Sequence, residues 1–182
     1  MAEPDGKLVV VFTVGHSTRS IEEFIALLKL HAIKMVVDVR TIPKSRHNPQ
    51  FNIDTLPESL ARAGIGYMHI AELGGLRHAR SDSPNTGWRN PSFRGFADYM
   101  QTREFKSGLD ELIDLALHQT VVIMCAEAVP WRCHRSLIAD ALLARSIEVQ
   151  EIIGSENVRI HALTPWAKVD GDAITYPLSV GK

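Results

Sequence analysis

The sequence predicts an α/β fold, with a mostly parallel central sheet of about five strands and helices on both faces. Three observations carry this. Short β-branched runs without polar alternation recur along the chain, as strands buried on both faces require. Amphipathic stretches separate them, and β-α-β crossovers of that kind give parallel neighbours. The 182 residues are 45% hydrophobic and 23% charged, a balance that suits a folded domain with a sizeable core and excludes a disordered or collagen-like chain.

Residues 7–14 form a β-branched run closed by Gly15 and read as the first strand. Ser20 with Glu23 makes a capping box, after which Ile21, Phe24, Ile25, Leu27 and Leu28 repeat at helical spacing. Residues 34–40 are the second strand, followed by a polar, Pro-containing loop over 41–52. Thr55 with Glu58 suggests another cap, opening a short helix that ends at Gly64, and residues 66–70 a weaker third strand. Residues 71–90 predict no regular element. A loop of that length in a compact domain is usually functional or mobile, and residues 76–90 are expected to be its most mobile or ligand-dependent part.

Residues 92–100 and 105–118 are amphipathic helices, and 119–125 is the clearest buried strand of the chain. A helix over about 135–145 and a last strand over 148–153 follow. Past Gly154 the alternation is weak and reads as loop with at most a hairpin. No repeat or linker divides the sequence, so a single domain over 1–182 is expected, with residues 154–182 as a C-terminal extension.

Two cysteines are too few for a disulfide scaffold. The chain starts acidic rather than basic, and no apolar run approaches the roughly 18 residues of a membrane helix. A cytoplasmic protein without membrane association is the expectation; oligomeric state is not legible. The net charge of −1 hides an asymmetry, because residues 40–94 hold eight Lys or Arg against four acids. The whole chain is therefore not a polyanion binder, while this stretch suits a smaller anion or is scattered surface charge.

In such a sheet ligands bind beyond the carboxyl ends of the strands. Gly15-His16-Ser17-Thr18 follows the first strand, and Arg40 with the 43–46 loop follows the second. Glu72, Gly74 and Gly75 follow the third. Cys125-Ala126-Glu127 ends the fourth, and its helix opens at Cys133-His134-Arg135-Ser136. The candidate catalytic set is therefore Cys125, Glu127, Cys133, His134 and Arg135, and the candidate substrate-binding set His16, Ser17, Arg40, Ser45 and Arg46. One shared pocket is expected for His16, Arg40, Arg46, Glu127, Cys133, His134 and Arg135.

A helix N-terminus and an arginine both favour thiolate over thiol, so a strand, cysteine, loop, arginine, helix order suits a nucleophile for an anionic or sulfur-bearing group. For Cys125 a buried structural cysteine is the competing reading. Cys133, between Arg132 and His134, is expected to be the more reactive. Cys125, Glu127, Cys133 and His134, with His16 or His69, have metal-donor chemistry, but their spacing is not that of a tetrahedral site, and neither metal nor cofactor is expected. A Cys125–Cys133 disulfide switch is open, since spacing alone does not bring two thiols within bonding distance. Asp38 reads as a buried carboxylate accepting backbone N–H groups, Trp88 as a loop anchor or a stacking platform, and His31, His118 and His161 as surface residues.

Two resemblances rest on these residues. Val36-Val-Asp-Val-Arg40, and later a strand, Cys, loop and Arg-Ser opening a helix, resemble the rhodanese domain, which implies a rhodanese-like fold and sulfur transfer. The loop departs from that pattern, with ten positions from Cys125 to Arg135 and a second cysteine inside. Gly15-His-Ser-Thr-Arg19, Asp38-Val-Arg40, Pro43 with Ser45-Arg46, Leu73-Gly-Gly75, Phe96-Ala-Asp-Tyr-Met100, Cys125-Ala-Glu127 and Cys133-His-Arg135 together resemble the family of domain of unknown function number 488. That resemblance implies that the strand-edge residues are a family signature and names no reaction.

Two functions of different class follow. One is an enzyme on a phosphate-bearing or nucleotide-like substrate, using Cys125 or Cys133, His134 and Arg135 with Arg40 and Arg46; sulfur transfer is a variant of it. The other is a non-catalytic protein holding a nucleotide or nucleic acid on the basic segment, with Phe51, Tyr67 and Trp88 interleaved. Thiol reactivity separates them.

Overall fold

The computed structural model describes residues 6–178. Its strands are β1 (Val10–Gly15), β2 (Met35–Asp38), β3 (Gly66–His69), β4 (Val121–Cys125), β5 (Glu148–Ile152) and β6 (Val158–Ile160), joined in one sheet of order β3-β2-β4-β1-β5-β6. The first five are parallel to their neighbours, and β6 pairs antiparallel with β5. The α/β architecture is the one the alternation predicts, with a sixth strand added by the C-terminal stretch. A separate hairpin, β7 (Lys168–Asp170) with β8 (Ala173–Thr175), completes it.

Helices α1 (Ile21–Leu30) and α2 (Leu56–Arg62) cover one face; α3 (Pro91–Tyr99), α4 (Arg103–His118) and α5 (Arg135–Ala144) cover the other. The strand period of two explains how one sequence feeds two cores. On β4, Val122 and Met124 pack with Phe24, Leu28 and Leu60, whereas Val121, Ile123 and Cys125 pack with Phe96, Leu112 and Leu137. All five β4 residues are buried, so each large apolar side chain there contributes about 1.5–3 kcal/mol. Ser20 caps α1 as the capping box predicts, its Oγ accepting from the Glu23 N–H at 3.1 Å. Thr55 makes no such bond at α2; its backbone (φ −122°, ψ −45°) departs from the extended form of a capping residue.

The irregular stretch after β3 is pinned rather than loose. Asp98 on α3 is 6% exposed and accepts from the Arg80 N–H at 2.8 Å, Ser83 Oγ at 2.5 Å and Asn85 Nδ2 at 2.7 Å. Asn85 Oδ1 in turn accepts from the Tyr176 N–H. Trp88 packs among Phe93, Trp166 and Tyr176, which makes it an anchor of the loop. His161, read as a surface residue, is in fact buried after β6. Its ring nitrogens lie 2.7 Å from Glu151 on β5 and 2.8 Å from Asp140 on α5, and Tyr176 donates to the same Asp140. Among the described residues no helix is long and apolar enough to cross a membrane.

Candidate active site

The winding of the chain puts β4 between β1 and β2, so the end of β4 is flanked by the segments leaving both neighbours. Cys125 is its last residue, level with Gly15 of β1. A side chain at position 15 would overlap the Glu127 carbonyl, so only glycine lets residues 126–128 fold over the end of β1. The Cys125 and Ala126 carbonyls there accept from the His16 and Ser17 N–H groups at 2.8 and 3.0 Å. A 3-10 turn over Pro130–Arg132 then brings Cys133 back to Cys125, with the two sulfurs 2.7 Å apart and both cysteines free.

Arg135, the first residue of α5, is 1% exposed. Its Nε donates to Cys125 Sγ at 2.9 Å, Nη1 to Thr13 Oγ1 at 3.1 Å and Nη2 to the Glu127 carbonyl at 2.7 Å. Its backbone N–H points at Cys133 Sγ from 3.5 Å. A buried guanidinium bonded to neutral oxygens and sulfur needs an anion, and a thiolate supplies one. Burial pushes the Cys133 thiol up, but the hydrogen bond from Cys125 and the bond and charges of His134 and Arg135 hold it well below the usual thiol range. Burial and the proton shared with Cys133 push Cys125 well above that range, against Arg135 and the Glu127 carbonyl. The two sulfurs therefore titrate as one pair, a shared negative charge faced by the Arg135 guanidinium at Cys125 and by the Arg135 N–H at Cys133.

His134 completes the arrangement. Its Nε2 lies 2.8 Å from the Val39 carbonyl, which only accepts, so Nε2 carries a hydrogen and Nδ1 faces Cys133 Sγ at 3.5 Å. The ring is held between Gly75 and the edge of Phe96. Cys133 Sγ, the His134 ring and the Val39 carbonyl are thus in line, an arrangement that can activate a cysteine.

Arg40 sits deeper than an anion-binding residue should. Its Nε and Nη2 hold both oxygens of Asp38 at 2.9 and 2.7 Å, Nη2 also donates to the Phe51 carbonyl, and Tyr67 donates to Asp38. His16, 1% exposed and stacked on Phe51, donates from Nδ1 to the Ser17 carbonyl and accepts from Arg40 Nη1 on Nε2. Burial, with the charge of Arg40, pushes its pKa down to about 4, so the ring is neutral.

A cavity of about 450 Å³ opens over the sulfurs. Cys125, Glu127, Cys133, His134 and Arg40 line it, joined by Lys44, Arg132, Ile42, Leu76 and Phe93. Arg135 lies beneath its floor. His16 and Ser17 stand behind Arg40 and do not line it. Ser45 shapes its own loop, taking the Asn48 N–H on Oγ, and Arg46 is exposed outside the cavity. The candidate sets left out Lys44 and Phe93, took Arg132 only as a neighbour of Cys133, and missed Asp38 as the partner of Arg40, for which the Asp-x-Arg spacing was the available signal. Among the described residues no group of three or more His, Cys, Asp or Glu side chains converges as metal ligands.

The family model described as Domain of unknown function DUF488 matches residues 20–142. The chain belongs to the DUF488 family. The DUF488 match runs from the cap of α1 into α5 and takes in Asp38, Arg40, Gly75, Cys125, Cys133, His134 and Arg135, so the dithiol and its supports lie inside the family region. His16, Ser17 and the strands after α5 lie outside it. No curated protein and no solved structure matches the chain.

Proposed function

We propose that the chain is a cysteine-dependent enzyme acting on a small anionic substrate, phosphate-bearing or nucleotide-like. The observation that carries this is the line from Cys133 Sγ to His134 Nδ1 and from His134 Nε2 to the Val39 carbonyl. Cys133 is the nucleophile. The Cys133 proton passes to His134 Nδ1, the thiolate bonds to the electrophilic centre of the substrate, and His134 returns that proton from Nδ1 to the departing group. Water, with His134 as base, then cleaves the covalent adduct and frees the thiolate. Lys44 and Arg132 at the rim meet the anionic group, and Ile42, Leu76 and Phe93 meet the apolar part.

The binding-protein alternative has less support. Of the eight cations in residues 40–94, Arg40, Arg62 and Arg80 are paired with carboxylates, and Arg77 and Arg94 bond main-chain carbonyls. The test is substrate protection of the thiol. Nucleoside mono- and triphosphates and sugar phosphates at millimolar level are expected to slow iodoacetamide modification of Cys133 in the full chain. Lys44→Ala with Arg132→Ala should abolish that protection. Unchanged modification rates with every one of these compounds would contradict an anionic substrate.

A further inference from the structure

We propose that Cys133 and Cys125 form a dithiol–disulfide couple that exchanges with low-molecular-weight disulfides, Cys133 attacking and Cys125 resolving. This rests on Cys133 being the nucleophile and adds a second activity to the same site. Three features support it. The sulfurs are 2.7 Å apart, so a bond between them needs a shift of under an ångström. Both line the cavity that opens to solvent, Cys133 at 6% and Cys125 at 3% exposure. The sulfurs also differ in surroundings. Cys133 faces His134 Nδ1 and the N-terminus of α5, whereas Cys125 sits at the end of a buried strand with the Arg135 Nε 2.9 Å away.

The chemistry balances with the small disulfide as the two-electron oxidant and solvent as the proton acceptor. The Cys133 thiolate attacks one sulfur of an oxidised disulfide R–S–S–R, forming Cys133–S–S–R and releasing one R–S⁻. Cys125 gives up its proton to solvent, its thiolate attacks Cys133 Sγ, and the second R–S⁻ leaves. The protein has lost two electrons and the small disulfide has gained them. Arg135 stabilises the Cys125 thiolate during the second step and favours the reduced pair at rest.

The experiment uses the full chain and glutathione disulfide, with acid quenching and intact mass followed by peptide mapping. Wild type is expected to reach a Cys125–Cys133 disulfide without accumulating an adduct. Cys125→Ser should stop at a single glutathione on Cys133. A wild type that keeps a stable glutathione on Cys133 overturns the couple while leaving the nucleophile intact. A Cys133 that stays unmodified in both proteins, with neither glutathione nor a disulfide on it, overturns both. The wild-type species decides the matter alone if the variant does not fold.

Discussion

Gly75 lies directly against the imidazole of His134, and a Cβ added there would come to 2.6 Å from Nδ1. The absent side chain is what lets the ring face Cys133 while Nε2 stays on the Val39 carbonyl. Gly75→Ala should therefore push the ring off the sulfur and slow Cys133 alkylation at neutral pH by about 10-fold to 100-fold, the range of a lost acid–base contact. Stability should change little, since the residue sits on a loop at the cavity wall. Stopped-flow alkylation beside urea unfolding measures both; an unchanged rate would detach His134 from the thiol.

The Asp38–Arg40 pair is a structural clamp under the cavity. Asp38→Ala strands the guanidinium in a site where Arg40 is 7% exposed and should cost about 3 kcal/mol in urea denaturation. Replacing both, as Asp38→Leu with Arg40→Met, should recover most of that loss. A double variant as unstable as the single one would show that Arg40 is needed for more than its charge.

Much of this was legible in the sequence, and the gaps have physical causes. The β-branched runs and the Ser20 cap are local signals, and they gave the sheet and the edge of it where Cys125, Cys133 and His134 meet. What a charged residue is paired with is not local. Arg40 looked like a ligand for anions because Asp38, two residues earlier, read as a carboxylate accepting backbone N–H groups, whereas it takes the Nε and Nη2 of Arg40. His161 looked exposed because it falls in the weakly patterned C-terminal stretch; its burial comes from packing against Asp140 of α5 and Glu151 of β5, which no local pattern shows. The loop over 71–90 looked slack because its anchor, Asp98, lies on a later helix.

That anchor can be checked by hydrogen exchange. The Arg80, Asn85, Gly87 and Trp88 amides donate within the loop network and should be protected, while neighbouring loop amides exchange fast. Asp98→Ala should collapse protection at Arg80 and Asn85 about 10-fold or more, the effect of losing roughly 1.4 kcal/mol of hydrogen bonding. Fast exchange at all four amides in wild type would mean a mobile loop.

His161 should set an alkaline limit on stability. Burial pushes its pKa down, but the carboxylates of Asp140 and Glu151 outweigh it and raise the value from 6.5 to about 9. Arg159 also faces Glu151, and the Tyr176 hydroxyl faces Asp140. A raised folded pKa means that the stabilisation is complete below 6.5 and is lost as pH rises through about 9. His161→Leu should cost about 3 kcal/mol on the acid side of that window, with the difference from wild type shrinking across it. A gap that stays constant with pH would assign His161 a packing role only.

The pH profile of the two thiols bears most directly on the site. Iodoacetamide modification of the reduced full chain, read residue by residue by mass spectrometry from acid to alkaline pH, reports each thiolate separately. Cys133 is expected to react as a thiolate well below the ordinary thiol pKa of about 8.5. Cys125 should stay protected until well above it, because burial and the proton shared with Cys133 raise it. Two cysteines that both titrate at or above the ordinary value would mean that Arg135 and His134 do not hold a thiolate, and Cys133 would not be a nucleophile.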